Sequence, residues 1–179
     1  MDGGVAADDQ AAMACAREWS ELLERRVGGD PLLLVKLNNM TRAEPAAQTQ
    51  TGIGTVMIDY VSAAMAAVRA DIYARYLTPD DMARVQRNRG ENAAKWPPLI
   101  AAMREMMAEG AEPGDVRLNE LARCWQQLFE ASFSGGDAAL RVKLREVFQR
   151  EPGLMRGTGM DPALLDFVRR ATMPSPARP

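Results

Sequence analysis

A set of residues in the first third of this 179-residue sequence returns, in the same order, in its last third. The offset is 106 residues between Trp19 and Trp125 and 107 residues at every later position, so one residue was gained in between. We interpret the two stretches as related helical units that face each other across a shared cleft. The repeated residues are Trp19, Gly28, Gly29, Asp30, Lys36, Leu37, Glu44, Pro45, Gly52 and Asp59, which return as Trp125, Gly135, Gly136, Asp137, Lys143, Leu144, Glu151, Pro152, Gly159 and Asp166.

The residues between the repeated positions predict helices. Alternating β-branched runs are nearly absent, whereas Ala, Leu, Met, Glu and Arg dominate. Helix starts are marked where a capping residue precedes a proline, as at Asp30, Thr78 and Asp161. We predict helices at about 8–26, 31–43, 55–76, 79–89, 97–109, 116–133, 138–150 and 162–172.

These helices predict an all-α fold in which two pseudo-repeated three-helix cores are joined by a long helix and a two-helix arm. The first repeat covers residues 4–66, the connecting helix covers 57–76, and the complete second repeat covers 77–172. The arm at 78–109 precedes the second core and has no counterpart before the first, so the first repeat is predicted to lack it. The proline-rich tail, 173–179, is expected to be disordered.

Charge and hydropathy argue against several classes of partner. The net charge is −2 and no Lys/Arg-rich run occurs, which does not favour binding to a phosphate backbone. No apolar run approaches the ~20 residues that span a bilayer. The N-terminus is acidic and lacks the basic-then-apolar order of a signal peptide. We therefore expect a cytoplasmic protein with neither a nucleic-acid nor a membrane partner.

The chain contains no histidine and only two cysteines, Cys15 and Cys124. Without histidine there is neither a Ser–His nor a Cys–His nucleophile, and two scattered cysteines do not predict a zinc site. We expect both thiols to be reduced and to lie on apolar helix faces. The sequence thus predicts a protein without catalytic residues, metal or cofactor, and not an enzyme.

Most repeated residues are explained by the scaffold alone. The glycine pairs at 28–29 and 135–136 suit a helix exit that needs positive φ, and the aspartates that follow them suit an N-cap. Glu44 and Glu151 precede prolines, which end a helix. The Gly-Gly-Asp sequence is not a phosphate loop, because it follows a helix rather than a strand.

The scaffold does not explain the number of soft and flat side chains, which includes twelve methionines. Such side chains can line an adaptable apolar channel, although each of them alone also fits ordinary core packing. The predicted ligand-binding residues are Trp19, Met40, Tyr60, Met65, Trp96, Met103, Trp125, Phe129, Phe148 and Phe167.

An ordered set of segments resembles a known family. These segments are 76–82 (YLTPDDM), 96–100 (WPPLI), 121–128 (LARCWQQL), 135–137 (GGD), 151–152 (EP) and 159–162 (GMDP). Together they look like the TipAS-type antibiotic-recognition domain, which occurs in MerR-type activators and, duplicated, in albicidin-binding resistance proteins. The resemblance covers about 76–172 as a full unit and 4–66 as a partial one. It implies an all-helical fold that wraps a large hydrophobic antibiotic and acts by binding.

The chain departs from that family pattern in two ways. Thiopeptide-sensing members capture their ligand through a cysteine in the segment that corresponds to Ser134–Asp137, and this chain has no cysteine there. No DNA-binding segment precedes the domain in this sequence, so we do not expect a promoter-binding activator.

Four hypotheses remain open from the sequence. The leading one is non-catalytic sequestration of an albicidin- or thiopeptide-like antibiotic that confers resistance. The main alternative is the ligand-sensing module of a transcriptional regulator that lacks its own DNA-binding domain. The third is a drug-modifying enzyme that uses a carboxylate, Lys36, Lys143, a tyrosine or a cysteine thiolate as base. The fourth is a homodimeric module in which the arm of one copy completes the first repeat of another.

Overall fold

Every regular element in the computed structural model, which describes residues 4–172, is a helix. The predicted all-α class is therefore confirmed, and the tail at 173–179 lies outside the described residues. The α-helices are α1 (Gln10–Arg26), α2 (Pro31–Ala43), α3 (Pro45–Thr51), α4 (Thr55–Tyr73), α5 (Pro79–Asn92), α6 (Trp96–Ala108), α7 (Val116–Ser132), α8 (Ala138–Arg150) and α9 (Pro162–Thr172).

The predicted capping residues act as caps in the structure. The carboxylate of Asp30 accepts hydrogen bonds from the first backbone N–H groups of α2, and Asp137 does the same for α8. Thr78 and Asp81 form a reciprocal capping box at the start of α5. The four glycines at 28–29 and 135–136 all have positive φ, between 58° and 89°. Local sequence chemistry therefore determines these boundaries.

The ends of two helices differ from the prediction, and one helix was not predicted. The connecting helix ends at Tyr73 rather than at residue 76, because the backbone N–H groups of Arg75 and Tyr76 bond to carbonyls three residues back rather than four. Helix α5 continues to Asn92, and a 3₁₀ turn at Ala93–Lys95 leads directly into α6. Helix α3 was not predicted; it forms because proline is well suited to the first turn of a helix.

Buried apolar side chains form two clusters whose limits do not coincide with the predicted repeats. One joins α4, α5 and α8 and includes Ala16 from α1; the other joins α6, α7 and α9. Helix α8 buries Leu140, Leu144 and Val147, and α7 buries Leu118 and Leu128. The second half of the chain, α5 to α9, therefore contributes to both clusters, whereas the first half, α1 to α4, contributes to one of them.

The separate three-helix core predicted for the first half is not confirmed, because few side chains of α1 and α2 are buried. On α2 the only buried residue is Pro31, and Leu33 and Met40 remain 40% and 48% exposed. On α1, Leu22 is 53% exposed. The difference follows from the arm: α5 and α6 pack against α7, whereas within residues 4–172 no equivalent pair of helices covers α1.

The two halves are held together by the turn between α1 and α2 and the loop at 153–161. Helix α2 packs against α6. The carboxylate of Glu24 accepts hydrogen bonds from the backbone N–H groups of Gly157 and Gly159. Arg104 on α6 donates to the Gly159 carbonyl at 2.9 Å and to the Asp161 carboxylate at 2.6 Å. The relative position of the halves therefore depends on this loop.

We expect Gly159→Ala to lower the free energy of unfolding by about 1–3 kcal/mol, because left-handed backbone disfavours a side chain. Gly159 has a φ of 76°, and an added Cβ would lie 3.2 Å from both the Gly29 carbonyl oxygen and the Pro31 Cβ. Urea unfolding followed by circular dichroism measures the effect. Gly153→Ala is the matched control, since nothing lies within 4 Å of its added Cβ. Equal stabilities of the two variants would contradict the assignment.

Among residues 4–172, no single helix is both long and apolar enough to cross a membrane. Helices α3 and α4 reach the length and apolar composition of a membrane span only when they are taken together, and the chain bends by 73° at their junction.

Candidate ligand-binding cavity

A cavity of about 730 Å³ lies where the helices of the first half meet those of the second. Residues of α2 and α4 form one side, and residues of α5, α6 and α7 form the other. The loop at 154–160, Phe148 of α8 and Leu165 of α9 also contribute to the lining. This volume falls within the range of small-molecule sites, which are concave and mostly apolar.

One wall of the cavity consists of aromatic rings. Trp96 and Trp125 meet edge to face with their ring centroids 5.2 Å apart. Phe129, Phe133 and Phe148 pack against one another at centroid distances of 4.8–5.5 Å. Trp125 and Phe129 lie four residues apart on α7, so the helical repeat places them on the same face. The wall therefore presents flat, polarizable surface to a ligand.

Trp96 is held in place by a hydrogen bond as well as by its neighbours. Its indole Nε1–H donates to the hydroxyl oxygen of Ser132 at 3.0 Å, and Ser132 is fully buried at the end of α7. Because a buried indole N–H needs a partner, this bond fixes the orientation of the ring beside the cavity.

The facing wall is made of small residues. Ala66, Ala67 and Ala70 of α4 line the cavity, and Pro31 and Leu34 of α2 extend the same side. Alanines on this helix face leave space that larger side chains would fill. The cavity thus combines an aromatic wall with a facing wall that is shaped by small side chains.

Among residues 4–172, two arginines are the only charged residues that line the cavity. They are Arg69 on α4 and Arg89 on α5. Within residues 4–172 neither forms an ion pair; Arg69 donates only to the Arg156 carbonyl at 3.4 Å, and its buried Nε has no partner. The guanidinium of Arg89 lies 5.6 Å from the Phe133 ring centroid.

The electrostatics around the two arginines reflect burial without a counter-charge. Burial lowers the pKa of Arg69, and the neighbouring positive charge of Arg89 lowers it further. Burial also raises the pKa of Tyr73, although the two arginines oppose that shift. Arg69 and Tyr73 lie one turn apart on α4, so the three polar groups form one cluster at the cavity.

The structure brings together four of the ten residues that were predicted to bind a ligand. Trp96, Trp125, Phe129 and Phe148 all line the cavity.

The other six lie elsewhere. Met65 and Met103 are buried in the two clusters, and Phe167 is buried against α6 and α7. Trp19, Met40 and Tyr60 belong to the first half; Trp19 is half-buried, Met40 is exposed, and the Tyr60 hydroxyl donates to the Val5 carbonyl.

The prediction did not include Arg69, Arg89 or the alanines of α4. The sequence does distinguish Arg69 from its neighbours. It is the only basic residue of α4, and it lies one helical turn from both Met65 and Tyr73. No comparable pattern distinguishes Arg89, because α5 carries several arginines.

The cysteines do not lie on apolar faces as predicted. Cys15 and Cys124 are both free thiols and both are exposed. They occupy the outer faces of α1 and α7, where helical rotation turns them away from the buried positions Ala16 and Trp125. In the described part of the chain, no group of three His, Cys, Asp or Glu side chains is arranged to hold a metal ion.

Comparison with known proteins gives one informative relative. No protein-family model matches the chain. The chain spans 62% of the length of a curated protein from Klebsiella oxytoca, and the 139 aligned residues cover 77% of the chain at 27% identity. The chain is thus similar, over most of its own length, to a protein named albicidin resistance protein.

Proposed function

We propose that this chain binds a large hydrophobic antibiotic, albicidin- or thiopeptide-like, in the cavity between its halves, and that sequestration confers resistance. The observation that carries the proposal is the aromatic wall of Trp96, Trp125, Phe129, Phe133 and Phe148 on a cavity of about 730 Å³. The similarity to an albicidin resistance protein supports the class of ligand.

The chemistry of the cavity fits binding better than reaction. Aromatic rings attract flat apolar ligands through stacking and edge-to-face contacts, and removal of both surfaces from water adds free energy in proportion to the buried area. A binding protein protects a cell when its concentration exceeds that of the drug and its Kd lies well below the inhibitory concentration. No change in the drug is needed.

The arrangement also supports an evolutionary proposal, a duplicated TipAS-like unit whose first copy lacks the two-helix arm. Helices α2 and α8 each have 13 residues, begin after two glycines with positive φ, and are capped by Asp30 and Asp137. In the second half the arm helices α5 and α6 pack against α7, whereas Leu22 of α1, the helix that corresponds to α7, is exposed.

We expect albicidin to quench tryptophan fluorescence at micromolar or lower concentration and to raise the thermal midpoint. Trp96 and Trp125 line the cavity, whereas Trp19 does not, so Trp19→Phe should retain the drug-dependent quenching. Ligand at about 100 times its Kd stabilises the folded state by about 2.7 kcal/mol. Neither quenching nor a thermal shift at micromolar drug would count against the proposal.

Two further measurements distinguish sequestration from the other functions. Intact albicidin should be recovered by chromatography after the complex is denatured, whereas a drug-modifying enzyme would yield a changed product. Cells that express the chain alone should survive higher drug concentrations. A sensor module of a regulator would bind the drug but would give no such protection.

A further inference from the structure

Within the described residues, Arg69 and Arg89 lack the carboxylate partners that two other arginines of α5 and α6 have. Arg84 forms an ion pair with Asp137, and Arg104 forms one with Asp161. Arg69 and Arg89 have no carboxylate partner in the described part of the chain, and no acidic residue lines the cavity. Placing two cations of like charge at an apolar cavity costs free energy unless an anion compensates them.

The contacts that these arginines make leave most of their hydrogen-bonding capacity unused. A guanidinium carries five N–H donors. Arg69 uses one of them in a long bond of 3.4 Å to the Arg156 carbonyl. Arg89 lies over the Phe133 ring, which attracts its charge but accepts no strong hydrogen bond, and it donates one hydrogen bond to the Tyr73 hydroxyl oxygen. Both guanidinium groups are therefore available to a bound group.

We propose that the ligand of this cavity carries an anionic group, a carboxylate at one end of its aromatic body, which Arg69 and Arg89 bind beside Phe133. This inference rests on the proposed function and specifies its ligand class: an elongated aromatic acid rather than a neutral apolar molecule. Guanidinium groups suit this role because their planar donor sets match the two oxygens of a carboxylate. The aromatic body then lies along the wall formed by Trp96 and Trp125.

The position of the anionic end follows from the helices that hold the arginines. Arg69 and Tyr73 lie on one face of α4, and Arg89 comes from α5. The Tyr73 hydroxyl belongs to the same polar cluster and provides a further hydrogen-bonding group. The rest of the lining is almost entirely apolar, so only this corner of the cavity offers charge to a ligand.

A matched pair of small probes tests the inference on the unaltered chain. Azobenzene-4-carboxylate and azobenzene-4-carboxamide have nearly the same shape and differ in charge, and both absorb tryptophan emission. We expect the carboxylate to bind at least about tenfold more tightly than the carboxamide, since charge-assisted hydrogen bonds are about twice as strong as neutral ones. Titration of tryptophan fluorescence gives both Kd values.

Variants then assign the preference to the two arginines. Arg69→Met and Arg89→Met should each weaken carboxylate binding, and the double variant should bind the two probes within about twofold of each other. Arg87→Met is the matched control, since Arg87 is exposed on α5 and does not line the cavity. It should retain the full preference for the carboxylate.

The outcomes separate the inference from the proposed function. Equal binding of the two probes by the wild-type chain, or a preference that survives in the double variant, overturns the inference and leaves aromatic binding intact. Binding of neither probe overturns the inference, whereas the proposed function is tested separately by the albicidin titration, which does not use these probes. The comparison on the wild-type chain does not depend on how any variant folds.

Discussion

Replacing Ala70 with tryptophan is expected to weaken albicidin binding by about a hundredfold or more while the protein stays folded. Ala70 lines the cavity on α4, opposite the aromatic wall, and its side chain is exposed to the open space rather than packed in a cluster. The indole would therefore fill the space that we assign to the drug, at little cost to the surrounding packing. A loss of about 2.8 kcal/mol in binding free energy corresponds to a hundredfold change in Kd.

Isothermal titration calorimetry measures this effect, and the drug resistance of cells that express the variant should fall with it. The matched control is Ala83→Trp, because Ala83 is exposed on α5 but does not line the cavity. It should bind albicidin within about twofold of the wild-type chain. Unchanged affinity in Ala70→Trp would show that the drug binds elsewhere.

Leu140→Ala is expected to lower the free energy of unfolding by about 2–5 kcal/mol, whereas Leu33→Ala should lower it by less than about 1.5 kcal/mol. The two leucines occupy equivalent places in the sequence repeat, at an offset of 107 residues. Leu140 is 1% exposed in the cluster that joins α4, α5 and α8, whereas Leu33 is 40% exposed on α2. Only the first truncation leaves a cavity in a packed core.

Guanidinium unfolding of the two variants and the wild-type chain provides the comparison. Both substitutions keep a good helix former in the third position of a 13-residue helix that has the same aspartate cap, so helix propensity does not differ between them. If Leu33→Ala is as destabilising as Leu140→Ala, then α2 is buried in solution against a surface outside residues 4–172, such as a second copy of the chain.

Much of the helical layout could be predicted from the sequence because it depends on local chemistry. The caps at Asp30, Thr78 and Asp137 and the glycine pairs act through atoms within a few residues of each other. The boundaries that were missed have weaker local signals. Gly90 does not end α5, since its φ is not positive and the chain continues into α6 through a 3₁₀ turn.

The candidate site was predictable only in part. Trp96, Trp125, Phe129 and Phe148 lie together at the cavity, but they come from α6, α7 and α8, and only the pair on α7 shares a face that the helical repeat predicts. Methionines occur both at the cavity, as Met82 and Met160, and in the packed core. Met65 and Met103 belong to the core, because each is buried in one of the two clusters. The spacing of apolar residues along a helix identifies its apolar face. It does not determine whether that face packs against another helix or lines a cavity.

The sequence by itself determined the class of secondary structure, the helix caps and the repetition of one local pattern, since each depends on neighbouring residues along the chain. Only the tertiary structure decided which copy of that pattern is buried and where the open space lies, because both depend on which helices pack together. The arm covers α7 but not α1, where Leu22 stays exposed, and the same packing leaves Arg69 and Arg89 without carboxylate partners among the described residues at the cavity. These contacts join residues distant in sequence, and no local pattern specifies them.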